Sequence, residues 1–405
     1  MPLSLTQILN LVGKIDDSPG EDTPRERFRK FLSENVNEVG QVKDYIDECL
    51  RNSGMQYNRA LQDLVNHLGK ILGFEVKFGR YQGTKGEIGY DGHWTSKTGF
   101  HIVIEVKTTD VYAIKTSTLV GYINGLISEG KIPNWDKAMG LYVIGRRDAE
   151  LKQLENNIIA EKRINQLRII TVNSLLNMAD LMVNYDIDHE DILELLTPPK
   201  PVIDPIVDMM SSLVAQAVSA GEENIEEKSK EEKLKDIEEG GKQYWLTPVK
   251  GNDEETAEEI IERLVGKEKI YAFGERTPGR KNMKVGDYIC FYATGNGIIA
   301  HARLKTKPQH KPDSRIKESD KYPWIVELED TKIYKDDPVI IDAELRQKLD
   351  TFKGRDPNKS WAWFVQATRK ITKNDFEVLT DTNLEVSALI DTVEVLKNLT
   401  DVKQE

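Results

Sequence analysis

Three things are scarce in this chain of 405 residues: cysteine, long apolar runs and positive charge. The two cysteines, Cys49 and Cys290, fall in segments assigned below to different domains. A disulfide framework and a thiolate metal cluster are therefore excluded, and a reducing cytoplasm fits best. No stretch approaches the ~20 consecutive apolar residues that cross a bilayer. The opening MPLSLTQILNLVGK also lacks a basic segment followed by a cleavage site, so a cytoplasmic protein without a membrane partner is expected. The net charge is −12, the wrong sign for a partner rich in phosphate.

The charge is unevenly distributed. Residues 1–185 carry 23 basic and 23 acidic side chains, and residues 241–385 carry 26 and 25. Residues 186–240 hold 5 basic against 16 acidic, and the tail 386–405 holds 2 against 4. Almost all the acidity thus sits in one linker, leaving two near-neutral regions on which basic patches can still meet phosphates. The balance of apolar (39 %) and charged (31 %) residues is ordinary for a globular protein, and the length suits two or three domains.

The first 53 residues read as helical. Thr23 is placed as N-cap, Pro24 at the first helical position and Glu26 as the capping-box partner. Residues 56–72 put Leu61, Leu64, Val65, Leu68, Ile71 and Leu72 on one helical face, and Gly73 ends the run. The period then changes to that of strands in FEVKFG, GEIGYDGHW and FHIVIEVKTT, followed by a helix near 116–129, the strand GLYVIG, a helix over 149–164 and the strand QLRIITV. This order predicts an α/β layer around a mixed sheet. After TPPKPVIDP the chain gives an apolar helical patch (206–219) and a charged low-complexity run, then a block of short strands ending in WAWFVQATRKI, which suggests a small barrel.

The strongest chemical signal is Asp91 followed, after thirteen intervening residues, by Glu105-Val106-Lys107. On a strand, Ile102, Ile104 and Val106 point to one face while Val103, Glu105 and Lys107 share the other. One face is then a buried sheet surface, and the other ends in a carboxylate beside an ammonium. Asp91 comes from the preceding hairpin. Two carboxylates with the Val106 carbonyl make a hard-oxygen site suited to Mg²⁺, with Mn²⁺ as a substitute. Lys107 is expected to position or deprotonate a water, or to hold a phosphate oxygen. An isolated E-x-K on a strand is more often a solvated charge pair; here it ends an apolar strand at a fitting distance from Asp-Gly. His93 and Trp94 read as loop packing. Thr108 and Thr109 are candidate DNA contacts, and Arg80 and Lys85 are candidate phosphate contacts.

The order LQDLVNHLGKILGFEV…GYDGHW…IVIEVKTTD resembles the PD-(D/E)XK superfamily, particularly the Mrr-like restriction nucleases, over roughly residues 55–175. The resemblance implies a restriction-endonuclease-like α/β nuclease domain with a mixed sheet, and a metal-dependent phosphodiester hydrolase with Asp91, Glu105 and Lys107 at its centre. Many relatives add an acidic residue on the helix before the first strand. At the matching turn stand Gln62 and Asp63, which makes Asp63 the expected further metal ligand beside Asp91, Glu105 and Val106.

A second resemblance, over about residues 243–382, is to the EVE domain, a PUA-like β-barrel related to the YTH readers of modified RNA. It rests on YWLTPV, NMKVGDYICFYAT…GIIAHARL and WFVQATRKITKNDFEVL. It implies an α+β domain that flips a base into an aromatic pocket, where each stacking wall is worth ~1–3 kcal/mol. Trp245, Tyr271, Tyr292, Trp324 and Trp361 are the expected pocket residues, although most aromatics of a small barrel are core. Tyr271 stands where the family commonly has Trp. Arg276, Arg280, Lys281 and Lys284, in a loop with Gly and Pro, are expected on the DNA backbone.

The expected layout is an N-terminal helical region (1–53), a nuclease domain (54–190), an acidic linker (191–241), a modified-base reader (242–385) and a tail (386–405). The two resemblances together imply a prokaryotic, type IV-like restriction endonuclease for phage defence. It would cut double-stranded DNA carrying modified cytosine and act as a homodimer. Two alternatives remain: a non-catalytic sensor of modified nucleic acid, and a nuclease acting on modified RNA.

Overall fold

The computed structural model describes residues 3–83, 87–108, 114–145, 149–185, 187–214, 242–252, 254–356 and 361–381. The chain separates into two compact units. The first comprises residues 1–225 with 250–257 and 358–366, and the second comprises 226–249, 258–357 and 367–405.

In the first unit, α1 (Leu5–Val12), α2 (Pro24–Asn35), α3 (Val39–Arg51) and α4 (Met55–Ile71) lead into a five-stranded sheet. Its strands are β1 (Glu75–Phe78), β2 (Gly92–Thr95), β3 (His101–Lys107), β4 (Ala138–Ile144) and β5 (Leu167–Thr171), in spatial order β1-β2-β3-β4-β5. The β1–β2 and β2–β3 pairs are antiparallel, and β3–β4 and β4–β5 are parallel. This is the mixed sheet that the change of period predicts. The parallel pairs require crossovers, supplied by α5 (Thr116–Ser128) and α6 (Ala149–Ala160). Both faces of the sheet are covered. Ile102 and Ile104 pack with Leu61, Leu64 and Leu68 of α4, while Val103 packs with Leu119 and Ile123 of α5. A parallel sheet buried on both faces explains why β4 is apolar along its whole length.

Two boundaries differ from expectation. Residues 1–53 are not a region apart: Leu5, Phe28, Leu32 and Ile46 share one core with α4 and with α7 (Val172–Asn184). Thr23 does cap α2, its hydroxyl accepting from the Glu26 N–H. The expected linker also starts too early. His189 opens α8 (His189–Leu196), Val202 bridges to Ile169, and residues 204–214 (α9) are helical. Buried Asp204 accepts hydrogen bonds from the Thr171 N–H and the Ser174 hydroxyl. The apolar residues Ile192, Leu196, Ile203 and Val207 draw this acidic segment onto the core. The charged run 221–241 and the tail 386–405 lie outside the described residues.

The second unit is built on β6 (Tyr244–Val249), β7 (Ile270–Phe273), β8 (Tyr288–Ala293), β9 (Gly297–Leu304), β10 (Gln309–His310), β11 (Trp324–Ile333) and β12 (Arg369–Ile371). The order is β12-β6-β8-β9-β11, and β11 also carries both β10 and β7. Among the described residues this mixed sheet forms a half-barrel, and no pairing closes it into the full PUA-like barrel expected. Helix α11 (Lys373–Thr380), capped by Thr372, lays Phe376 against Tyr244, Tyr288 and His301 with ring centroids 5.4, 5.6 and 5.9 Å apart. The segment WAWFVQATRKI, expected as one strand, is instead the helix α10 (Ala362–Gln366) followed by the short β12. Phe364 and Val365 are both buried there, and strand alternation cannot bury two consecutive residues on one face.

Candidate active site

The C-terminal end of β3 opens into a cavity of about 480 Å³ whose wall includes Asp91, Glu105, Val106 and Lys107. These four expected residues therefore meet at one place. The Val106 N–H donates to Asp91 Oδ2 at 2.7 Å, and Lys107 Nζ lies 2.5 Å from Glu105 Oε1. The hairpin backbone fixes Asp91 from several sides. Its N–H donates to Ile104 O at 3.0 Å. Its carbonyl accepts from the Gly79 N–H at 2.9 Å, from Asn66 Nδ2 at 2.9 Å and from Gln62 Nε2 at 3.3 Å.

Two glycines make this geometry feasible. A Cβ on Gly79 would stand 1.9 Å from the Tyr90 carbonyl oxygen, and one on Gly92 would stand 2.0 Å from Asn66 Oδ1. Asn66 in turn accepts from Trp94 Nε1 at 2.9 Å. Trp94 and His93 are therefore parts of the buried strand β2, which corrects their placement as loop packing.

Electrostatics distinguish the two carboxylates. Burial first, and then the nearby charge of Glu105, push Asp91 up to about 8, against the pull of the Val106 N–H and Lys107. Burial opposes the charge of Lys107, but the contact with Glu105, followed by Asp91, outweighs it and raises its pKa. Glu105 Oε2 is buried and has no hydrogen-bond partner. An orphaned, buried carboxylate oxygen beside a second carboxylate is the arrangement that a hard divalent cation completes. Since a strand residue exchanges its N–H and C=O on one edge, the Val106 carbonyl leaves β3 on the Asp91 side. Among the described residues no three His, Cys, Asp or Glu side chains converge as a metal-binding group. The donor set that fits Mg²⁺ is thus Asp91, Glu105 and the Val106 carbonyl.

Asp63 does not join that set. It is fully buried and held by Arg29 of α2, whose Nε and Nη2 both donate at 3.0–3.2 Å, while the Tyr81 hydroxyl donates to its other face. Gln62, one residue earlier on α4, lines the cavity instead. Exposed Arg80 also lines the cavity and pairs with Glu87 at 2.7 Å. Thr108 lines the cavity too, whereas Lys85 and Thr109 lie outside the described residues. The residues not foreseen are Arg29, Arg59, Asn66 and Tyr81. A signal for part of this was available: Arg59, Gln62, Asp63 and Asn66 form a polar stripe on an otherwise apolar helix, all buried.

In the second unit the expected pocket residues do not converge. Trp245 is core, with Nε1 donating to Asp287 Oδ2 at 3.0 Å and its ring packed against Gly279. Tyr271 is buried edge-on against Phe273 and Phe291, and Tyr292 is buried. Trp361 belongs to the first unit, where Nε1 donates to Asp44 at 3.2 Å and Lys43 Nζ sits 4.6 Å from the ring centroid. Only Trp324 is half exposed, and the Arg280 guanidinium covers its ring at 3.9 Å. Arg280 is itself buried, which removes it from the expected backbone contacts, whereas Arg276, Lys281 and Lys284 are exposed.

No family model and no curated protein matches this sequence. Two solved structures of the restriction endonuclease FokI, one of them bound to DNA, align with 42% of this chain. The identities are 17% and 16%, and the TM-scores 0.30 and 0.29. The chain spans about a third of the length of those structures (33% and 32%). At that level the likeness decides nothing about function.

Proposed function

We propose that the first unit is a metal-dependent phosphodiester hydrolase acting on DNA. The observation that carries this is the convergence of Asp91, Glu105 and Lys107 at the end of a buried strand, with Glu105 Oε2 left without a partner. A divalent cation bound by Asp91, Glu105 and the Val106 carbonyl would stabilise the charge that develops on a scissile phosphate. The chain's own residues bind and orient. Lys107, kept protonated by its carboxylate neighbours, serves as a cation that holds a phosphate oxygen or the attacking water, which disfavours a role as base. Arg59, Arg80 and Gln62 on the cavity wall offer donors to the same phosphate or its neighbour.

The finer part of the reading is that cutting is directed by a modified cytosine, flipped out of double-stranded DNA and recognised by the second unit in a homodimeric protein. Its support is the sequence resemblance of residues 243–382 and the exposed cations Arg276, Lys281 and Lys284 in the loop that carries Arg280. The test is digestion of matched DNAs carrying unmodified, 5-methyl-, 5-hydroxymethyl- or glucosylated cytosine, with Mg²⁺ or with EDTA. Cutting of modified DNA alone supports both parts, and Mg²⁺-dependent cutting of every substrate retains only the first. An intact panel in Mg²⁺ removes both.

A further inference from the structure

We infer that the turn at residues 15–17 and Arg29 form a positioning element for the cavity, so that the N-terminal helices belong to the catalytic unit. This rests on the nuclease reading above and deepens it. The contacts form two connected layers. Arg29 grips Asp63 with two nitrogens, donates to the Gly79 carbonyl at 3.1 Å, and lies 4.6 Å from the Phe78 ring centroid. Gly79 is the residue whose N–H holds the Asp91 carbonyl, so Arg29 stands two hydrogen bonds from the backbone of a proposed metal ligand.

The second layer comes from the turn before α2. Asp17 accepts from the N–H of Tyr81 at 3.2 Å and of Gln82 at 2.9 Å, and it pairs with Arg25 at 3.0 Å. The Ile15 carbonyl accepts from Arg59 Nη1 at 2.6 Å and from Gln56 Nε2 at 3.1 Å. Tyr81, Gln82 and Arg59 are cavity-wall residues. The wall is therefore held by groups more than forty residues away in sequence, and a bidentate Arg–carboxylate pair fixes direction as well as distance. Asp63 serves as the anchor of this element, which explains why a carboxylate so near the metal-binding position is paired with a guanidinium.

The test uses the full chain with two independent changes, Asp17→Ala and the paired Arg29→Met with Asp63→Asn, which avoids stranding a buried charge. The primary readout is hydrogen exchange at the Val106 amide, whose partner is Asp91. Mn²⁺ affinity by paramagnetic resonance is the second, and kcat against KM for DNA cleavage the third. Exchange at Val106 is expected to rise about tenfold or more while Leu141 of β4 and Ile169 of β5 stay protected. Mn²⁺ binding should weaken about 10- to 100-fold, with kcat falling and KM for DNA unchanged. Arg29→Lys, which keeps the charge but loses the fork, should fall between parent and the paired variant. Unchanged Val106 exchange and Mn²⁺ affinity in both variants would overturn the inference. So would a rise in exchange spread equally over β4 and β5, which would indicate a merely structural role. If the parent protein binds Mn²⁺ but cuts no DNA, the nuclease reading fails while exchange and affinity still decide this one.

Discussion

The two units treat their polar and aromatic groups in opposite ways. In the first, a strand end, a hairpin and a helix bring oxygen- and nitrogen-bearing side chains to one cavity and leave a buried carboxylate oxygen without a partner. In the second, the conspicuous side chains are satisfied: Trp245 by Asp287, Tyr271 by Phe273 and Phe291, and Trp324 by Arg280. A buried carboxylate oxygen without a partner, set beside a second carboxylate at a cavity, marks a site, because burying such a charge is costly and a cation can complete it. Abundance of aromatics does not, since a small sheet domain buries them for its core.

Substitutions should separate the units along this line. The largest expected effect is at Lys107: Lys107→Ala should lower Mg²⁺-dependent cleavage by about 10²–10³-fold, read by single-turnover assays. In the second unit the order should reverse. Trp245→Phe removes the donor to buried Asp287 and should cost about 1–3 kcal/mol in denaturant unfolding, while metal-dependent cleavage of DNA by the first unit persists.

The pH dependence gives a third contrast. The folded-state pKa of Asp91 lies above its unfolded value, so its contribution to stability is present below the unfolded pKa, near 4. It is lost as pH rises through about 8. The metal-free protein should therefore lose stability from this group across that window, whereas Mn²⁺ affinity should climb by about tenfold per pH unit over pH 6–7, as proton release accompanies binding. Isothermal titration in buffers of different ionisation enthalpy measures the affinity and the protons released, and denaturant unfolding at each pH measures the stability. The smallest effect is expected at Trp324: Trp324→Ala should cost about 0.5–1 kcal/mol of stability, since it uncovers the Arg280 guanidinium that lies on the ring. It should weaken binding only of modified DNA if this ring stacks on a base. Equal weakening on unmodified DNA would assign it to backbone contacts.

The parts of the fold legible in the sequence were those written in short-range periodicity. The alternation in HIVIEVK placed Glu105 and Lys107 together, and the preceding hairpin supplied Asp91, because both follow from geometry within about fifteen residues. Asp63 looked like a ligand because nothing local reveals that Arg29, 34 residues earlier, occupies it. Trp361 was misplaced for a related reason: aromatic density does not say which unit a segment packs on, and residues 358–366 cluster with the first. The acidic segment before residue 215 was read from its charge, while its fold follows from four apolar positions that anchor it.

The central claim is tested most directly by incubating DNA carrying modified cytosine with the parent protein and with Glu105→Gln, each in Mg²⁺ and in EDTA, after confirming equal unfolding temperatures. The account predicts cleavage only by the parent in Mg²⁺. Cleavage by Glu105→Gln at the parental rate, or cleavage by the parent in EDTA, would contradict it.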